Sequence, residues 1–223
     1  MTADADGAGP LRPVRRLILA SASTARLATL RSAGVDPEVV VSGIDENGPG
    51  PSQPAARAQD LSRRKAEAVA GLPGAAGALV LGCDSLLELD GVVYGKPASP
   101  QDAVARWMLM RGRSGILHTG HHLVDVTSGD HAAGAASTTV HFAGISDAEI
   151  LAYVATGEPL GVAGAFTIDG LGGGFVERIE GDHHNVVGLS LPLLRRLLLE
   201  LGYAWTSLWR AGLTRPEARV RGR

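Results

Sequence analysis

The sequence is poor in cysteine, in aromatic residues and in net charge, and each shortage excludes a class of protein. Cys83 is the only cysteine among 223 residues, so no internal disulfide can form, as is usual in a reducing compartment. Lys and Arg number 21 against 23 Asp and Glu, so no global field draws the chain to nucleic acid or to a membrane surface. With only three each of Trp, Tyr and Phe, few rings remain to stack nucleobases.

The sequence also has no apolar run long enough to cross a bilayer. Its first residues, MTADADGAGPLR, carry acids where a signal peptide has a basic region. We therefore expect a cytoplasmic protein with no membrane partner and no nucleic-acid partner.

What the sequence does contain is a regular alternation of strand-like and helix-like segments, which is typical of an α/β fold. There is no internal repeat and no long linker, so we expect one domain over residues 13–205, with tails at 1–12 and 206–223. The patterns predict strands at residues 14–21, 37–44, 78–83, 115–126 and 135–144, and helices at 24–33, 55–72 and 191–202. Turn and cap residues predict a hairpin at Asp90-Gly91 and N-caps at Ser23, Ser99 and Ser146.

The first strand–helix junction, LASASTARL, is a candidate anion site. The N-terminus of a helix presents unpaired N–H groups and a partial positive charge, which suit a phosphate or a carboxylate. Arg26, in the first turn, could add a forked donor. The alternative is that Ser23 only caps the helix and that Arg26 is solvated; on this junction alone, we favour the alternative.

Acids follow two of the predicted strands, and lysines lie near them. Asp45 and Glu46 come after one strand and Asp84 after another, and the carboxyl ends of strands are where ligands gather in open α/β sheets. Clustered carboxylates repel one another unless a hard cation such as Mg²⁺ lies between them. For a single acid a turn role is the better interpretation, but several acids with Lys65 and Lys96 nearby indicate a site. A Walker A loop is excluded because the glycine spacing before Lys96 fails and no Ser or Thr follows it.

The histidines are weaker candidates. His118 and His122 of HTGHH would share one face of a strand, but no Cys or carboxylate is spaced to complete a zinc set. We therefore predict that they are surface or sheet-edge residues. Cys83, beside an acid, is predicted to be a small buried hydrophobe.

Seven motifs, taken in order, resemble the Maf nucleoside triphosphate pyrophosphatases. They are LILASASTARLATLRSAGV, IDE, KAEAVA, CDS, GKP, AGAFTIDGLGGGFVERIEGD and NVVGLSLPLL, and they span about residues 14–202. The resemblance implies an elongated, mixed-sheet α/β fold of the inosine-triphosphatase-like kind, with two lobes and a central cleft. It also implies metal-dependent hydrolysis of a nucleoside triphosphate to the monophosphate and pyrophosphate. The family has been associated with removal of non-standard nucleotides and with arrest of cell division.

The resemblance implies a role for each matching residue. Asp84 matches the proton acceptor, and with Glu46 it would hold a divalent cation, Mg²⁺ or Mn²⁺. The other matching positions would contact the nucleotide; they are Ser21, Ser23, Arg26, Lys65, Ser85, Lys96 and Asp169.

Three positions depart from the family pattern, and these positions are linked to base preference. Ala25 stands where many members have an arginine, Ser85 where a threonine often follows the acid, and Asp169 where one branch has glutamine. A carboxylate accepts hydrogen bonds but donates none, so a preference for dTTP and UTP cannot be transferred. Asp169 could instead be a turn residue that stabilises its own backbone.

The sequence leaves several matters open. The preferred base, the metal and the oligomeric state, including a possible homodimer, are not decided. The alternative to an enzyme is a nucleotide-sensing protein that regulates cell division with little turnover. Retention of Asp84, Glu46, Lys65 and Lys96 favours the enzyme, because a pure sensor could lose the acid.

Overall fold

Strand β3 (Leu79–Leu89) is the central strand of a mixed sheet. The structure is a computed structural model in which residues 12–13, 16–46 and 48–210 are described. Within these residues the sheet has seven strands in the order β2-β1-β3-β5-β6-β7, with β4 also pairing with β3. Strands β1 and β2 run parallel to their neighbours, and every other pairing is antiparallel. The predicted α/β class and mixed sheet are confirmed.

The regular elements alternate along the chain much as the sequence predicts. Besides β3, the strands are β1 (Leu17–Leu19), β2 (Glu38–Val39), β4 (Val92–Tyr94), β5 (Ser114–Asp125), β6 (His131–Phe142) and β7 (Val176–Glu180). The helices are α1 (Thr24–Ser32), α2 (Pro54–Ala70), α3 (Pro100–Met110), α4 (Asp147–Ala155), α5 (His183–Val187) and α6 (Leu191–Glu200). No helix among the described residues is both long enough and apolar enough to cross a membrane.

The two larger hydrophobic cores occupy the two halves of β3. Leu79, Leu81 and Cys83 belong to an aliphatic core formed with β1, α1 and α6. Leu87 and Leu89 belong to a second core formed with α3 and α4, in which Trp107 packs edge-on against Phe142, Tyr153 and Phe175. Ser85 lies between the two cores on the same face of β3, and Asp84 is its neighbour on the opposite face, so polar side chains occupy the middle of this central strand.

Helix α2 packs unusually close to the sheet at two glycines. A Cβ on Gly82 would lie 2.1 Å from the Ser62 carbonyl oxygen, and one on Gly120 would lie 2.3 Å from that of Ala58. Any larger residue would therefore push the helix away. Because side chains alternate along a strand, Gly82 and Asp84 point to the same face, so this close approach brings α2 directly over Asp84.

Several local predictions are confirmed. Asp90 and Gly91 both have positive φ, 53° and 77°, and form the turn between β3 and β4. Ser99 caps α3, and Ser146 forms a full capping box with Glu149 at the start of α4. These are short-range features, determined by residues within four positions of one another.

Two strand predictions are wrong in extent. The strand predicted at 78–83 continues to Leu89, so Asp84 lies inside it rather than beyond its end. The cause is pairing with β5, in which Asp84 lies opposite Gly120 and Ser85 opposite Thr119. The strand predicted at 37–44 shrinks to Glu38–Val39, because it pairs only with the three-residue β1 at the sheet margin. Asp45 and Glu46 consequently lie in a loop.

The prediction that His118 and His122 are surface or sheet-edge residues is also wrong. Strand β5 lies between β3 and β6, and His118, His121 and His122 are all buried. His118 hydrogen-bonds Ser137 and Glu88, at 2.8 Å each. Burial lowers the pKa of His121 to about 4, and its Nε2 accepts a hydrogen bond of 2.8 Å from the Ser190 N–H. These rings are structural.

The chain stays packed past the predicted domain end at residue 205. A short 3₁₀ helix, Trp205–Leu208, follows α6, and Leu208 packs against the aliphatic core. The Arg210 N–H then donates to the Gly34 carbonyl at 2.9 Å. The predicted N-terminal tail, except Arg12, and residues 211–223 of the predicted C-terminal tail lie outside the described residues.

Candidate active site

A cleft of about 1160 Å³ opens over the middle of β3. Elements of both cores contribute to it, including the end of β1, the start of α1, helix α2 and the loop before β7. All nine site residues predicted from the sequence line this cleft; they are Ser21, Ser23, Arg26, Glu46, Lys65, Asp84, Ser85, Lys96 and Asp169.

A lysine between two acids forms the most buried charged group of the cleft. Lys65 Nζ lies 2.5 Å from Asp84 Oδ1 and 2.7 Å from Glu46 Oε1. Lys65 and Asp84 are each only 6% exposed. Both are held on regular structure, Lys65 on α2 and Asp84 on β3, so their contact follows from the close helix–sheet packing at Gly82. One positive and two negative charges leave the trio with a net charge of −1.

The outer acid of this trio is ionised more readily than usual. Partial burial raises the pKa of Glu46, but the hydrogen bond from Lys65 and the charges of Lys65, Lys96 and Arg26 lower it by more, so the net shift is downward. Glu46 therefore carries its charge at neutral pH. The influence of Lys96 and Arg26 also shows that the cations of the cleft act on the same acid.

The donor set fits a divalent cation shared with a ligand better than a cation held by protein alone. Among the described residues, no three His, Cys, Asp or Glu side chains are grouped as a metal site. Asp84 and Glu46 each direct one carboxylate oxygen to Lys65, which leaves each with a second oxygen. Mg²⁺ is commonly bound by one or two carboxylates, waters and substrate phosphates, and two acids at a large polar cleft match that pattern.

Arg26 is a buried clamp rather than a solvated side chain. It is 8% exposed and donates to Ser21 Oγ at 3.0 Å, to Ser85 Oγ at 3.0 Å and to the Gly188 carbonyl at 2.7 Å. Ser23 Oγ accepts from the Arg26 N–H at 3.3 Å, so its predicted cap is confirmed. The guanidinium thus joins the segment after β1, strand β3 and the turn after α5 at one side of the cleft.

Ser85 belongs to a directed chain of hydrogen bonds. Thr119 Oγ1 donates to the Asn185 carbonyl at 3.2 Å and lies 2.9 Å from Ser85 Oγ. Because the single proton of Thr119 is used on Asn185, Ser85 must donate to Thr119 and accept from Arg26. In this arrangement the Ser85 hydroxyl holds Arg26 in place and has no proton left for a ligand.

Lys96 and Asp169 are exposed charged residues that line the cleft. The Lys96 side chain has no hydrogen bond or ion pair within the described residues, whereas its carbonyl accepts from Arg106 at 3.2 Å. The Asp169 carboxylate likewise bonds to no described residue, which does not favour its reading as a self-stabilised turn. Both charges are therefore available to a ligand.

Comparison with known proteins agrees with this geometry. Residues 16–201 match the family model described as Maf-like protein. This chain belongs to the Maf-like family. Relatives named "Nucleoside triphosphate pyrophosphatase" include one from Salinispora tropica, 60% identical over 88% of this chain and 88% of that one. Another, from Streptomyces coelicolor, is 57% identical over 89% of this chain and 96% of the relative. A third, from Gloeothece citriformis, is 52% identical over 86% of this chain and 97% of the relative.

Among solved structures, the Ham1 protein of Staphylococcus aureus is a distant likeness of this Maf-like chain. It has a TM-score of 0.39 and 14% identity, and covers 58% of this chain and 73% of the other. Such a distant likeness carries no conclusion about the site.

The cleft of this Maf-like chain also contains residues that the sequence patterns missed. Arg57 of α2 lines it and adds a fourth cation to Arg26, Lys65 and Lys96. Thr167 also lines the cleft, and Thr119 supports Ser85 from β5. A cation one or two helical turns before Lys65 was a usable signal for Arg57, but nothing local distinguishes Thr119 or Thr167.

Proposed function

We propose that this chain hydrolyses nucleoside triphosphates to the nucleoside monophosphate and pyrophosphate. The observation that carries the proposal is the Asp84–Lys65–Glu46 trio at the floor of a cleft lined by additional cations. The names of relatives at 52–60% identity point to the same reaction. Both the monophosphate and pyrophosphate products would be anions, which suits a cleft with Lys96 and Arg57 at its margin.

Asp84 is the proposed proton acceptor. A water molecule attacks the α-phosphorus, its proton passes to the Asp84 carboxylate, and the bond to the bridging oxygen breaks, so that pyrophosphate leaves. A carboxylate that is almost buried but reaches a cleft can act as a general base, a contribution of about 10² to 10⁴ in rate. Lys65 fixes its orientation through Oδ1 and leaves Oδ2 for the water.

The cations of the cleft have separate proposed tasks. Lys96, which has no partner among the described residues, would bind the outer phosphates as a point charge. Arg26, held by three acceptors, would keep the turn at Ser21 and Ser23 in shape beneath the phosphates. Lys65 keeps the two acids from repelling each other before substrate arrives.

A divalent cation, Mg²⁺ or Mn²⁺, is proposed to be held by Glu46 and Asp84 together with substrate phosphates. When bound, it would neutralise phosphate charge beside the two carboxylates and so strengthen electrostatic stabilisation of the transition state. The biological role proposed with this chemistry is removal of non-standard nucleotides, arrest of cell division, or both.

The test is a panel of standard and modified nucleoside triphosphates, each with Mg²⁺, with Mn²⁺ or with a chelator, scored for pyrophosphate release. We expect release with at least one nucleotide and a metal, and loss of release with the chelator. Tight binding of nucleotides without pyrophosphate release under any condition would overturn the proposed hydrolysis. It would favour the alternative, a nucleotide-sensing protein with little turnover.

A further inference from the structure

The Glu158 carboxylate accepts hydrogen bonds from four donors. No part of the proposed chemistry uses this residue. It follows α4 and is partly buried. Its Oε1 accepts from Tyr153 Oη at 2.8 Å, from Thr167 Oγ1 at 2.5 Å and from the Gly172 N–H at 2.9 Å. Its Oε2 accepts from the Leu171 N–H at 2.9 Å. Three of the four donors lie in residues 167–172.

Residues 167–172, here called the cleft loop, supply part of the wall of the cleft. Thr167 and Asp169 of this loop line the cleft, and the backbone between them forms no strand or α-helix. A loop without a ladder of backbone hydrogen bonds depends on other partners for its shape. Here those partners converge on Glu158.

The backbone at two glycines of the cleft loop packs closely against Glu158 and its partner Tyr153. A Cβ on Gly170 would lie 2.5 Å from Glu158 Oε2, and one on Gly172 would lie 2.4 Å from Tyr153 Oη. Neither position can accept a side chain without displacing the hydrogen-bonded group. Gly170 and Gly172 of the GLGGG run are therefore a close fit to Glu158 and Tyr153.

The carboxylate is ionised throughout the ordinary pH range. Burial raises the pKa of Glu158, but the hydrogen bonds from Thr167, Leu171, Gly172 and Tyr153 outweigh it and bring the pKa to about 2. Burial also raises the pKa of Tyr153, so its hydroxyl remains a donor. Every group around Glu158 donates into a charged acceptor, the stronger class of hydrogen bond.

We propose that Glu158 is a positioning residue that fixes the cleft loop and thereby sets which nucleobases Asp169 can contact. The proposal rests on the proposed function, since it assigns the base end of the nucleotide to the cleft loop. Glu158 itself does not line the cleft. Its loss should change the recognition of the nucleotide and leave the chemistry at Asp84 unchanged.

Glu158→Gln is the informative variant. The glutamine oxygen can keep the three donors on the Oε1 side, but its NH₂ group then faces the Leu171 N–H, donor against donor. The loop should loosen beside Asp169. We expect KM for the preferred nucleotide to rise about tenfold, the scale of one lost hydrogen bond to a charged group, with kcat changed by less than about threefold. The ratio of kcat/KM between the best and worst nucleotides should shrink.

Glu149→Gln is the matched control. Glu149 is an exposed carboxylate on α4 that accepts from Ser146 N and Ser146 Oγ, at 2.7 and 2.8 Å, and it does not line the cleft. Its loss should lower the melting temperature without changing nucleotide selectivity. Thr167→Val, which removes a single donor to Glu158, should reproduce the selectivity change on a smaller scale if Glu158→Gln does not fold.

Two measurements separate this proposal from the proposed function. Steady-state kinetics of the wild type and the variants with each nucleoside triphosphate give kcat and KM. Binding titrations of the same nucleotides in the presence of a chelator report on the cleft loop without turnover. Absence of pyrophosphate release by the wild type would refute the proposed function alone. An unchanged order of nucleotide affinities and unchanged KM values in folded Glu158→Gln and Thr167→Val would overturn the positioning role.

Discussion

The two walls of the cleft are built in different ways. On one wall, Asp84 and Lys65 project from a strand and a helix, and they meet because Gly82 lets the two elements approach. On the other wall, Asp169 lies on a loop that is held by neutral donors to one carboxylate, Glu158. The charges of the first wall are paired with one another on regular elements, whereas the second wall presents an unpaired acid on a loop that a single carboxylate holds.

This difference separates the reaction from the choice of substrate. Groups that act on phosphate must hold one geometry for every nucleotide, and regular elements hold geometry best. Groups that contact the base can vary between proteins if their support is a loop. We therefore expect changes on the strand–helix wall to affect rate and stability, and changes on the loop wall to affect selectivity.

Asp84→Asn should have the largest effect. The amide keeps an oxygen for Lys65 but cannot take a proton from water, so we expect a loss of pyrophosphate release of about a hundredfold or more. The fold should be retained, as judged by circular dichroism and melting temperature.

The control for Asp84→Asn is Asp36→Asn, which changes an exposed acid paired with Arg31. Its activity should equal that of the wild type. If the Asp84 variant hydrolyses nucleotides at nearly the wild-type rate, the proton acceptor must be sought elsewhere.

Lys65→Met tests whether the strand–helix wall is held by its charges. Removing the lysine leaves Asp84 and Glu46 facing each other without a cation. We therefore expect the free energy of unfolding to fall by about 2 kcal/mol. The loss is smaller than for a fully buried pair because Glu46 is half exposed. Chemical denaturation measures this loss.

Arg63→Met on the same helix is the matched comparison for Lys65→Met. Arg63 pairs with Asp60 and Glu67 at the surface, and such pairs contribute about 0 to 1 kcal/mol. Equal destabilisation by the two variants would mean that the Asp84–Lys65–Glu46 trio contributes no more to stability than a surface ion pair.

Lys96→Ala should weaken the binding of triphosphate more than that of monophosphate. We expect about a tenfold increase in Kd for the triphosphate, the scale of one charge-assisted contact, and a smaller change for the monophosphate. Calorimetric titration measures both, with Arg196→Ala on α6 as a control outside the cleft. Equal weakening of the two ligands would remove Lys96 from the phosphate site.

Asp169→Gln should have the smallest effect and should change only the choice of base. A carboxylate favours base edges with several donors, as in cytosine and guanine, whereas an amide can both donate and accept. We expect kcat/KM for UTP relative to CTP and GTP to rise about fivefold, within the range of one altered base contact. Unchanged ratios in a folded variant would show that Asp169 does not contact the base.

Most of the site was predictable because its residues are marked locally. Ser23 follows a strand and begins a helix, Lys96 stands between a glycine and a proline, and all nine predicted side chains line one cleft. The features that were missed depend on distant pairing. The length of β3 past Asp84 is determined by its register with β5, and the burial of His121 by strands and helices on both sides.

The role of Glu158 illustrates the same limit. Its donors lie up to 14 positions away, as for the Gly172 N–H, in a segment without a helical or strand period. A glutamate after a glycine at the end of a helix looks like an ordinary surface residue. Only the folded loop shows that four donors converge on it.

Hydrolysis in water enriched in ¹⁸O tests the central claim most directly. If Asp84 activates water against the α-phosphorus, the wild type with metal should release equal amounts of monophosphate and pyrophosphate, with the label in the monophosphate. Mass spectrometry of the two products measures the label. Label in the pyrophosphate, or release of orthophosphate and a nucleoside diphosphate, would contradict the account.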